Sequence, residues 1–298
     1  MRHLELFVEV AQRKSVSRAA EALNLTQPAV SRTLRELEDL CGKPLFEKHG
    51  RGIRLSPFGT IFLRHAGASL AAAREGLAAL QSLDPNQGPP LRIGALPTVL
   101  ATILPKAVAA YRAEGPGARL SVSSGSNLVL LNELREGRLD LVIGRLPAPE
   151  NMVNVAFEPL YRERVVVVVA AGHPLEDATL LTADDLARYP VLLPGPGSII
   201  RPFVERLLLE QGLTPPPDAI ETVSPSFGWA CLKQAEAIWF ISRGVVESQL
   251  AQGEFRELPM DTGTTVGSVG LCTRIDKTPG ASVTRFAALL RRLAPEGL

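Results

Sequence analysis

Two short helical patterns joined by a tight turn, followed by a basic glycine-bearing segment, most constrain what the first 60 residues can fold into. A preceding helix is predicted from about Arg2 to Gln12, because apolar residues recur at helical spacing. The turn falls at Asn24 and Leu25, and the helix after it begins near Thr26. Two such helices and a turn of three or four residues are typical of a helix-turn-helix.

The second helix of this pair has a polar face at its N-terminal end. Once Val30, Leu34 and Leu37 point inward, five residues point outward. They are Gln27, Pro28, Ser31, Arg32 and Arg35. Glutamine can pair with adenine, and arginine with guanine or phosphate, so the face suits a DNA major groove. For this helix alone, a solvated polar face is the alternative.

Residues 44–55 read as a β-hairpin with glycines at its turn. Its tip carries the cationic side chains of Lys48, His49, Arg51 and Arg54. Residues 1–65 hold 11 Lys and Arg against 7 Asp and Glu, whereas the remainder holds 21 against 24. A basic hairpin directly after a helix-turn-helix indicates a wing that contacts the DNA backbone or minor groove.

A long helix is predicted next, because Ser56-Pro57 is a start signal and nothing breaks the chain until Asp84-Pro85. Its apolar residues Leu70, Ala73, Leu77 and Leu80 alternate in steps of three and four, which favours a short coiled-coil seam. With nothing of its own domain expected to cover this helix, and with paired DNA half-sites in view, we expect a homodimer. A core helix is the alternative.

From Leu91 onward, short apolar runs alternate with helical stretches, which predicts an α/β fold with a largely parallel sheet. Two α/β lobes joined by two crossings are the simplest arrangement. The expected divisions are 1–57 for the helix-turn-helix domain, 58–84 for the linker helix, 85–90 for the hinge, 91–162 with 266–298 for lobe I, and 163–265 for lobe II.

A cleft is expected at the carboxyl ends of the strands, where helix N-termini offer free amide donors. The candidate ligand-binding residues are Thr98, Ser126, Asn127, Arg145, Arg201, Phe203 and Phe227. Hydroxyls with an arginine fork would suit a small carboxylate. The alternatives are helix capping for the hydroxyls and amide, and surface ion pairs for the two arginines.

The sequence carries no signature of catalysis, metal binding or membrane insertion. Phosphate-binding, zinc-protease and nucleophile-elbow motifs are absent, so we expect no catalytic residues, no metal site and no cofactor. The longest apolar run, Val165 to Ala171, is far too short to span a bilayer, and no membrane partner is expected. The three cysteines lack paired spacing and the N-terminus lacks an export signal, which indicates a cytoplasmic protein.

The run from Ser15 to Gly59 resembles the winged helix-turn-helix of LysR-type transcriptional regulators. The core A-A-x-x-L-x-[ST]-Q-P-A-V-S-R-x-[IL]-x-x-L-E is matched from Ala19 to Glu38, and the overall length also agrees. The resemblance implies base and phosphate contacts from Gln27, Pro28, Ser31 and Arg32, wing contacts from Arg51 and Arg54, and a cleft using Thr98, Ser126 and Arg145.

At the level of the whole chain, the resemblance implies a linker helix and a two-lobed effector domain like a periplasmic binding protein. It also implies a dimer of dimers on double-stranded operator or promoter DNA and contact with RNA polymerase. Under the control of a small-molecule effector, the protein is expected to activate transcription rather than repress it.

The stretches GPPLRIGALPTV, ELREGRLDLVIGRLPAPE and AGHPL are similar to one branch of that family. This branch contains regulators of protocatechuate (pca) operons and of a galactose-binding-protein gene. It implies an effector that is an aromatic acid or a ring-cleavage carboxylate, with a sugar as the alternative. Two other classes stay open at this point: a solute-binding protein for transport and an architectural DNA-binding protein.

Overall fold

The structure is a computed structural model that describes residues 1–50, 52–81, 90–115 and 118–295. Within α4 below, the side chains of residues 64, 74, 75 and 78–81 lie outside the description. The chain divides into two compact units. Unit one contains residues 1–89 and 135–138, and unit two contains residues 90–134 and 139–298.

Unit one consists of four helices and a two-stranded hairpin. The elements are α1 (Arg2–Arg13), α2 (Val16–Ala22), α3 (Gln27–Cys41), β1 (Phe46–His49), β2 (Gly52–Leu55) and α4 (Pro57–Gln81). The turn between α2 and α3 depends on Asn24, whose φ of 52° lies in the left-handed region that asparagine tolerates. Gly42 ends α3 with a φ of 63°. The predicted helix-turn-helix and hairpin are therefore present.

Aromatic ring contacts and one half-buried carboxylate join the hairpin to the helices. The Phe7 ring of α1 lies 5.3 Å from Phe46 on β1 and 5.1 Å from Phe62 on α4. Glu38 on α3 accepts hydrogen bonds from the backbone N–H groups of Leu45 and Phe46, at 2.7 and 3.1 Å. These contacts fix the position at which β1 leaves the helices.

The long helix α4 is partly covered by its own unit, which corrects one expectation. Ala66 and Leu70 are each only 1% exposed and belong to the same core as α1. Leu70 is thus a core residue, because α1 packs along the first half of α4. Leu77, about two turns further on, is 53% exposed and has no such cover. The Leu80 side chain and residues 82–89, including most of the predicted hinge, lie outside the described residues.

Unit two contains two five-stranded sheets with helices packed on them. The elements associated with the first sheet are β3 (Leu91–Ala95), α5 (Pro97–Ala101), α6 (Ile103–Ala113), β4 (Leu120–Ser124), α7 (Asn127–Arg135), β5 (Leu141–Arg145), β6 (Val155–Glu163), and, much later in the chain, β12 (Gly267–Arg274) and α12 (Ala281–Leu293). The elements between are β7 (Val165–Ala170), α8 (Ala183–Arg188), β8 (Val191–Leu193), α9 (Arg201–Glu210), β9 (Ile220–Glu221), α10 (Pro225–Gln234), β10 (Ile238–Ser242), α11 (Arg243–Ala251) and β11 (Phe255–Glu257).

Each sheet mixes strand directions, so the predicted largely parallel arrangement holds only in part. The first sheet has the order β4-β3-β5-β12-β6, in which β3, β4 and β5 run parallel and β12 runs antiparallel to both of its neighbours. The second has the order β11-β7-β10-β8-β9, with only β8, β9 and β10 parallel. The antiparallel strands β6 and β11 were not predicted from the sequence.

Two crossings connect the sheets. The chain passes from the first sheet to the second between Glu163 and Val165, and returns between Glu257 and Gly267. Each sheet has its own apolar core, and the residues of the run Val165–Val169 are at most 1% exposed. In the part of the chain that the structure describes, no helix combines the length and the apolar character needed to cross a membrane.

Two glycines of α4 provide a matched test of this packing. A Cβ at Gly59 would lie 2.0 Å from the backbone oxygen of Leu45, whereas a Cβ at Gly76 would meet nothing within 4 Å. We expect Gly59→Ala to lower the free energy of unfolding by about 1–3 kcal/mol, because strand β1 must move. Gly76→Ala should instead raise it by up to about 1 kcal/mol, since alanine favours a helix. Thermal unfolding followed by circular dichroism measures both, and equal melting temperatures for the two variants would contradict this packing.

Candidate functional site

The N-terminal end of α3 forms an exposed polar surface on unit one. Val30, Leu34 and Leu37 are buried beneath it and hold the helix against the rest of the unit. Above them, the predicted DNA-facing residues Gln27, Pro28, Arg32 and Arg35 are exposed, and Ser31 is half-buried. The side chains that the sequence placed on the outward face of this helix therefore share one surface.

Two local contacts orient side chains on this surface. The Ser17 hydroxyl, at the start of α2, donates to Gln27 Oε1 at 3.2 Å. Arg32 Nε donates to Glu36 one helical turn later, at 3.1 Å. Ser17 was not among the sequence-predicted DNA-binding residues, because its relation to Gln27 depends on how the two helices cross. Among the described residues the Gln27 amide nitrogen has no hydrogen-bond partner, and Arg32 is 83% exposed in its side chain.

The β1–β2 hairpin carries a second group of cations. Arg54 lies directly opposite Glu47 in the ladder and forms an ion pair with it at 3.3 Å. Lys48 and His49 are exposed near the turn. Arg51, the other predicted wing residue, lies outside the described residues.

Unit two contains a cleft of about 670 Å³ between its two sheets. Four of the sequence-predicted ligand residues line it together, namely Thr98, Ser126, Asn127 and Arg145. The opposite wall comes from the loops before α9, α10 and α11, including Ser198, Thr222, Ser224 and Ser242. The residues that were predicted at the strand ends of the first sheet therefore line one cleft.

The three other predicted ligand residues do not line the cleft. Arg201 is engaged by two carboxylates, Glu205 at 2.7 Å and Glu221 at 3.0 Å, and so takes the ion-pair alternative. Phe203 lies under the Arg145 guanidinium, 4.5 Å from its central carbon. Phe227 is 45% exposed on α10. At helical spacing, the residues that follow a helix N-terminus turn away from the cleft even when the terminus itself faces it.

Arg145 is only 2% exposed, and among the described residues only one of its three guanidinium nitrogens has hydrogen-bond partners. Its Nη2 donates to the backbone oxygens of Glu163 and Thr265, one in each crossing between the sheets. A Cβ at Gly267 would lie 2.7 Å from Nε, so that edge is closed as well. Nη1 and Nε have no hydrogen-bond partner among the described residues. Both bidentate edges of a guanidinium include Nη2, which is already bonded here, so Arg145 does not offer the cleft the bidentate fork predicted for it.

Glu163 is a cleft residue that sequence reasoning missed. It is 5% exposed, and its Oε1 accepts hydrogen bonds from the Thr98 hydroxyl and the Gly244 backbone N–H. Burial raises the pKa of this carboxyl, and the nearby Arg145 cation and the two hydrogen bonds oppose that rise. No local pattern marks Glu163, because the strand that it ends was not predicted.

The remaining lining combines polar donors with apolar surface. Ser126 precedes α7 and its hydroxyl accepts from the Val129 N–H at 3.4 Å, which leaves the hydroxyl proton free to donate. Asn127, the first residue of α7, also lines the cleft, and the first N–H groups of a helix have no partner within the helix. Leu96, Ile199 and Val245 supply apolar side chains. Such a cleft can hold a small molecule with an apolar body and a polar or anionic end.

The described residues contain no group of three or more His, Cys, Asp or Glu side chains placed to hold a metal ion. His173, the only described histidine outside unit one, is 4% exposed. Its Nδ1 accepts from the Leu175 N–H at 3.0 Å, and its Nε2 lies 3.0 Å from the Glu236 carbonyl oxygen. These bonds give His173 a structural role in its loop.

Comparison with known proteins places both units in one family. Residues 1–60 match the model of bacterial regulatory helix-turn-helix proteins of the lysR family, and residues 86–295 match the LysR substrate binding domain. The chain is 48% identical over 295 residues to the HTH-type transcriptional regulator PcaQ of Agrobacterium fabrum, covering 99% of this chain and 95% of that one.

Solved structures agree at the level of the fold. A full-length OxyR variant from Pseudomonas aeruginosa is similar with a TM-score of 0.60 and 25% identity, over 98% of both chains. Full-length CbnR, solved in complex with its target DNA, gives a TM-score of 0.55 and 20% identity, over 98% of this chain and 99% of that one. The family is one of transcriptional regulators rather than enzymes, and it accounts for both the exposed α3 surface and the two-sheet cleft. This chain belongs to the LysR family of DNA-binding transcriptional regulators.

Proposed function

We propose that this LysR-type regulator is switched by a small carboxylate bound in the cleft of unit two. The proposed effector is an aromatic acid or a ring-cleavage product of protocatechuate catabolism. The observation that carries the proposal is the cleft lining, in which Thr98, Ser126 and the start of α7 line the same cleft as the buried Arg145 cation. Apolar residues on the same walls suit a ring or a carbon chain.

The relationship to the regulator PcaQ supports the same class of effector, since 48% identity extends over nearly the whole of both chains.

One observation favours a sugar as the second candidate. Arg145 Nη2 is already bound to two backbone oxygens, and the cleft offers several hydroxyl and backbone donors that a polyhydroxylated ligand would use. The two effector classes differ in whether the ligand must carry a negative charge.

For DNA, we propose that Gln27, Pro28, Ser31 and Arg32 read base edges and adjacent phosphates in the major groove. Arg35, Arg51 and Arg54 are assigned to the DNA backbone or minor groove. Exposure of the α3 surface supports the first assignment, and the position of Arg54 on the hairpin supports its part in the second.

The proposed working form is a homodimer or dimer of dimers in the cytoplasm, bound to operator DNA and contacting RNA polymerase as an activator. The exposed Leu77 on α4 supports dimerisation through this helix.

Effector binding changes the relation of the two lobes and thereby the contacts with DNA. A coupling of about 1–3 kcal/mol, typical of such switches, alters DNA affinity about 5- to 150-fold.

The roles of the DNA-binding residues can be separated by comparing two kinds of DNA. Gln27→Ala and Arg32→Ala should weaken binding to a duplex selected by the wild-type protein by about 5- to 100-fold, with a smaller effect on random duplexes. Arg54→Ala should weaken binding to both and lower the salt dependence, because it removes a phosphate contact. Fluorescence anisotropy over a salt series measures all three.

Arg206→Ala is the matched control, since Arg206 is an exposed arginine of unit two that pairs with Glu210. It should bind both duplexes like the wild type. Equal losses on selected and random DNA for Gln27→Ala, Arg32→Ala and Arg54→Ala would refute the division between base and backbone contacts.

Effector class is tested by thermal unfolding with aromatic acids, ring-cleavage carboxylates and sugars. Protocatechuate at about 100 times its dissociation constant should raise the melting temperature by about 5 °C. Ser126→Ala should weaken its binding about five- to tenfold by removing a hydroxyl donor.

Ser121→Ala is the control for this experiment, because Ser121 is an exposed serine on β4 that does not line the cleft. It should bind protocatechuate like the wild type. Stabilisation by sugars alone would establish the second candidate in place of the carboxylate.

A further inference from the structure

The two oxygens of the Glu163 carboxyl group have different surroundings. Oε1 accepts from the Thr98 hydroxyl and from the Gly244 N–H, the latter at 2.8 Å. Gly244 is required for this approach, because a Cβ there would lie 2.4 Å from Thr98 Oγ1 and 2.6 Å from Oε1. Oε2 is buried and has no partner among the described residues. A proton on this carboxyl therefore belongs on Oε2.

The charged groups around Glu163 leave its charge only partly compensated. The Arg145 cation bonds to the Glu163 backbone oxygen and forms no side-chain ion pair with it within 4 Å. Glu247 on α11 repels a negative Glu163, and Tyr161 on its own strand has a pKa that is itself raised. Beyond them, a second cavity that Glu163 also lines is bordered by Lys106, Arg162, Arg164 and Arg243. Burial is the largest influence and raises the pKa of Glu163.

Arg145 Nη1 and Glu163 Oε2 are both buried polar atoms without partners, and their residues line the same cleft. Burying an unpaired polar group is unfavourable, so a ligand that bonds to both atoms is favoured. A carboxylate has two acceptor oxygens and can take one hydrogen bond from each. An O–H donor to a carboxylate oxygen makes one of the stronger hydrogen bonds in proteins.

We propose that Glu163 is the residue that recognises an anionic effector, by donating a proton from Oε2 to the effector carboxylate, so that binding takes up one proton. This inference rests on the proposed carboxylate effector. An ionised Glu163 would repel such a ligand, and the proton comes from solvent. The effector's negative charge raises the pKa of Glu163 further. The effector therefore binds with its maximum affinity at pH values below the pKa that Glu163 has in the free protein. The affinity falls by about tenfold per pH unit between the free and bound pKa values.

Isothermal titration calorimetry of the full chain with protocatechuate tests the proposal, using pairs of buffers with different ionisation enthalpies from about pH 6 to pH 8.5. Wild type should take up close to one proton in the pH range where its affinity falls. Glu163→Gln keeps the Oε1 acceptor and replaces the O–H donor with an amide. It should bind with no proton uptake and an affinity independent of pH.

Two controls complete this experiment. Glu247→Gln removes the other carboxylate near Glu163 and should retain proton uptake. The pH at which affinity is lost should shift downward, because Glu247 raises the pKa of Glu163. The primary amide of protocatechuate has no negative charge and should bind wild type without the linkage. Proton uptake that persists in Glu163→Gln, or is absent from wild type at every pH, would overturn the proposal. Absence of binding by any carboxylate would refute the proposed effector class instead.

The ligand-free protein gives a second readout, from urea unfolding over the same pH range. A carboxyl whose pKa is higher in the folded state stabilises the fold fully below its unfolded pKa, and this contribution is lost as pH rises through the folded pKa. The stability of wild type relative to Glu163→Gln should therefore decrease as pH rises. A difference that stays constant with pH would show that Glu163 is ionised throughout, contrary to the proposal.

Discussion

One buried guanidinium holds the cleft of this regulator together. Arg145 Nη2 bonds to a backbone oxygen in each of the two crossings between the sheets, and the guanidinium lies over the Phe203 ring. Among the described residues, the crossings are the only chain connections between the two sheets, and Arg145 joins these crossings to each other. Nη1 and Nε have no partner among the described residues, so a cleft ligand that reached Arg145 would act on the side chain that joins the two crossings.

Periodicity and turn signals predicted much of the fold. The α2–α3 turn and the hairpin both follow from local residue types, and the structure contains each of them. Strand ends also predicted that Thr98, Ser126 and Arg145 meet, since parallel strands end at one edge of a sheet. Local rules work here because each of these features depends on a few neighbouring residues.

Features that depend on distant residues could not be predicted in this way. Glu163 is 65 residues from Thr98 and 81 from Gly244 in the sequence, and its position depends on β6, which shows no clear alternation. The bidentate role expected for Arg145 is also absent, because the oxygen of Thr265, 120 residues away, binds its Nη2. The contacts that define the chemistry of the cleft are thus non-local, whereas the residue types that line it are readable from the sequence.

The position of β12 has a consequence for how the chain folds as it is synthesised. This strand lies between β5 and β6 in the first sheet, and β6 has no other neighbour in that sheet. The second sheet is built from the continuous stretch between Val165 and Glu257. Because domains tend to fold as soon as their residues emerge from the ribosome, the lobe encoded second can form first. The first sheet is complete only when residues 267–274 have emerged, so the cleft between the two sheets cannot be complete before then.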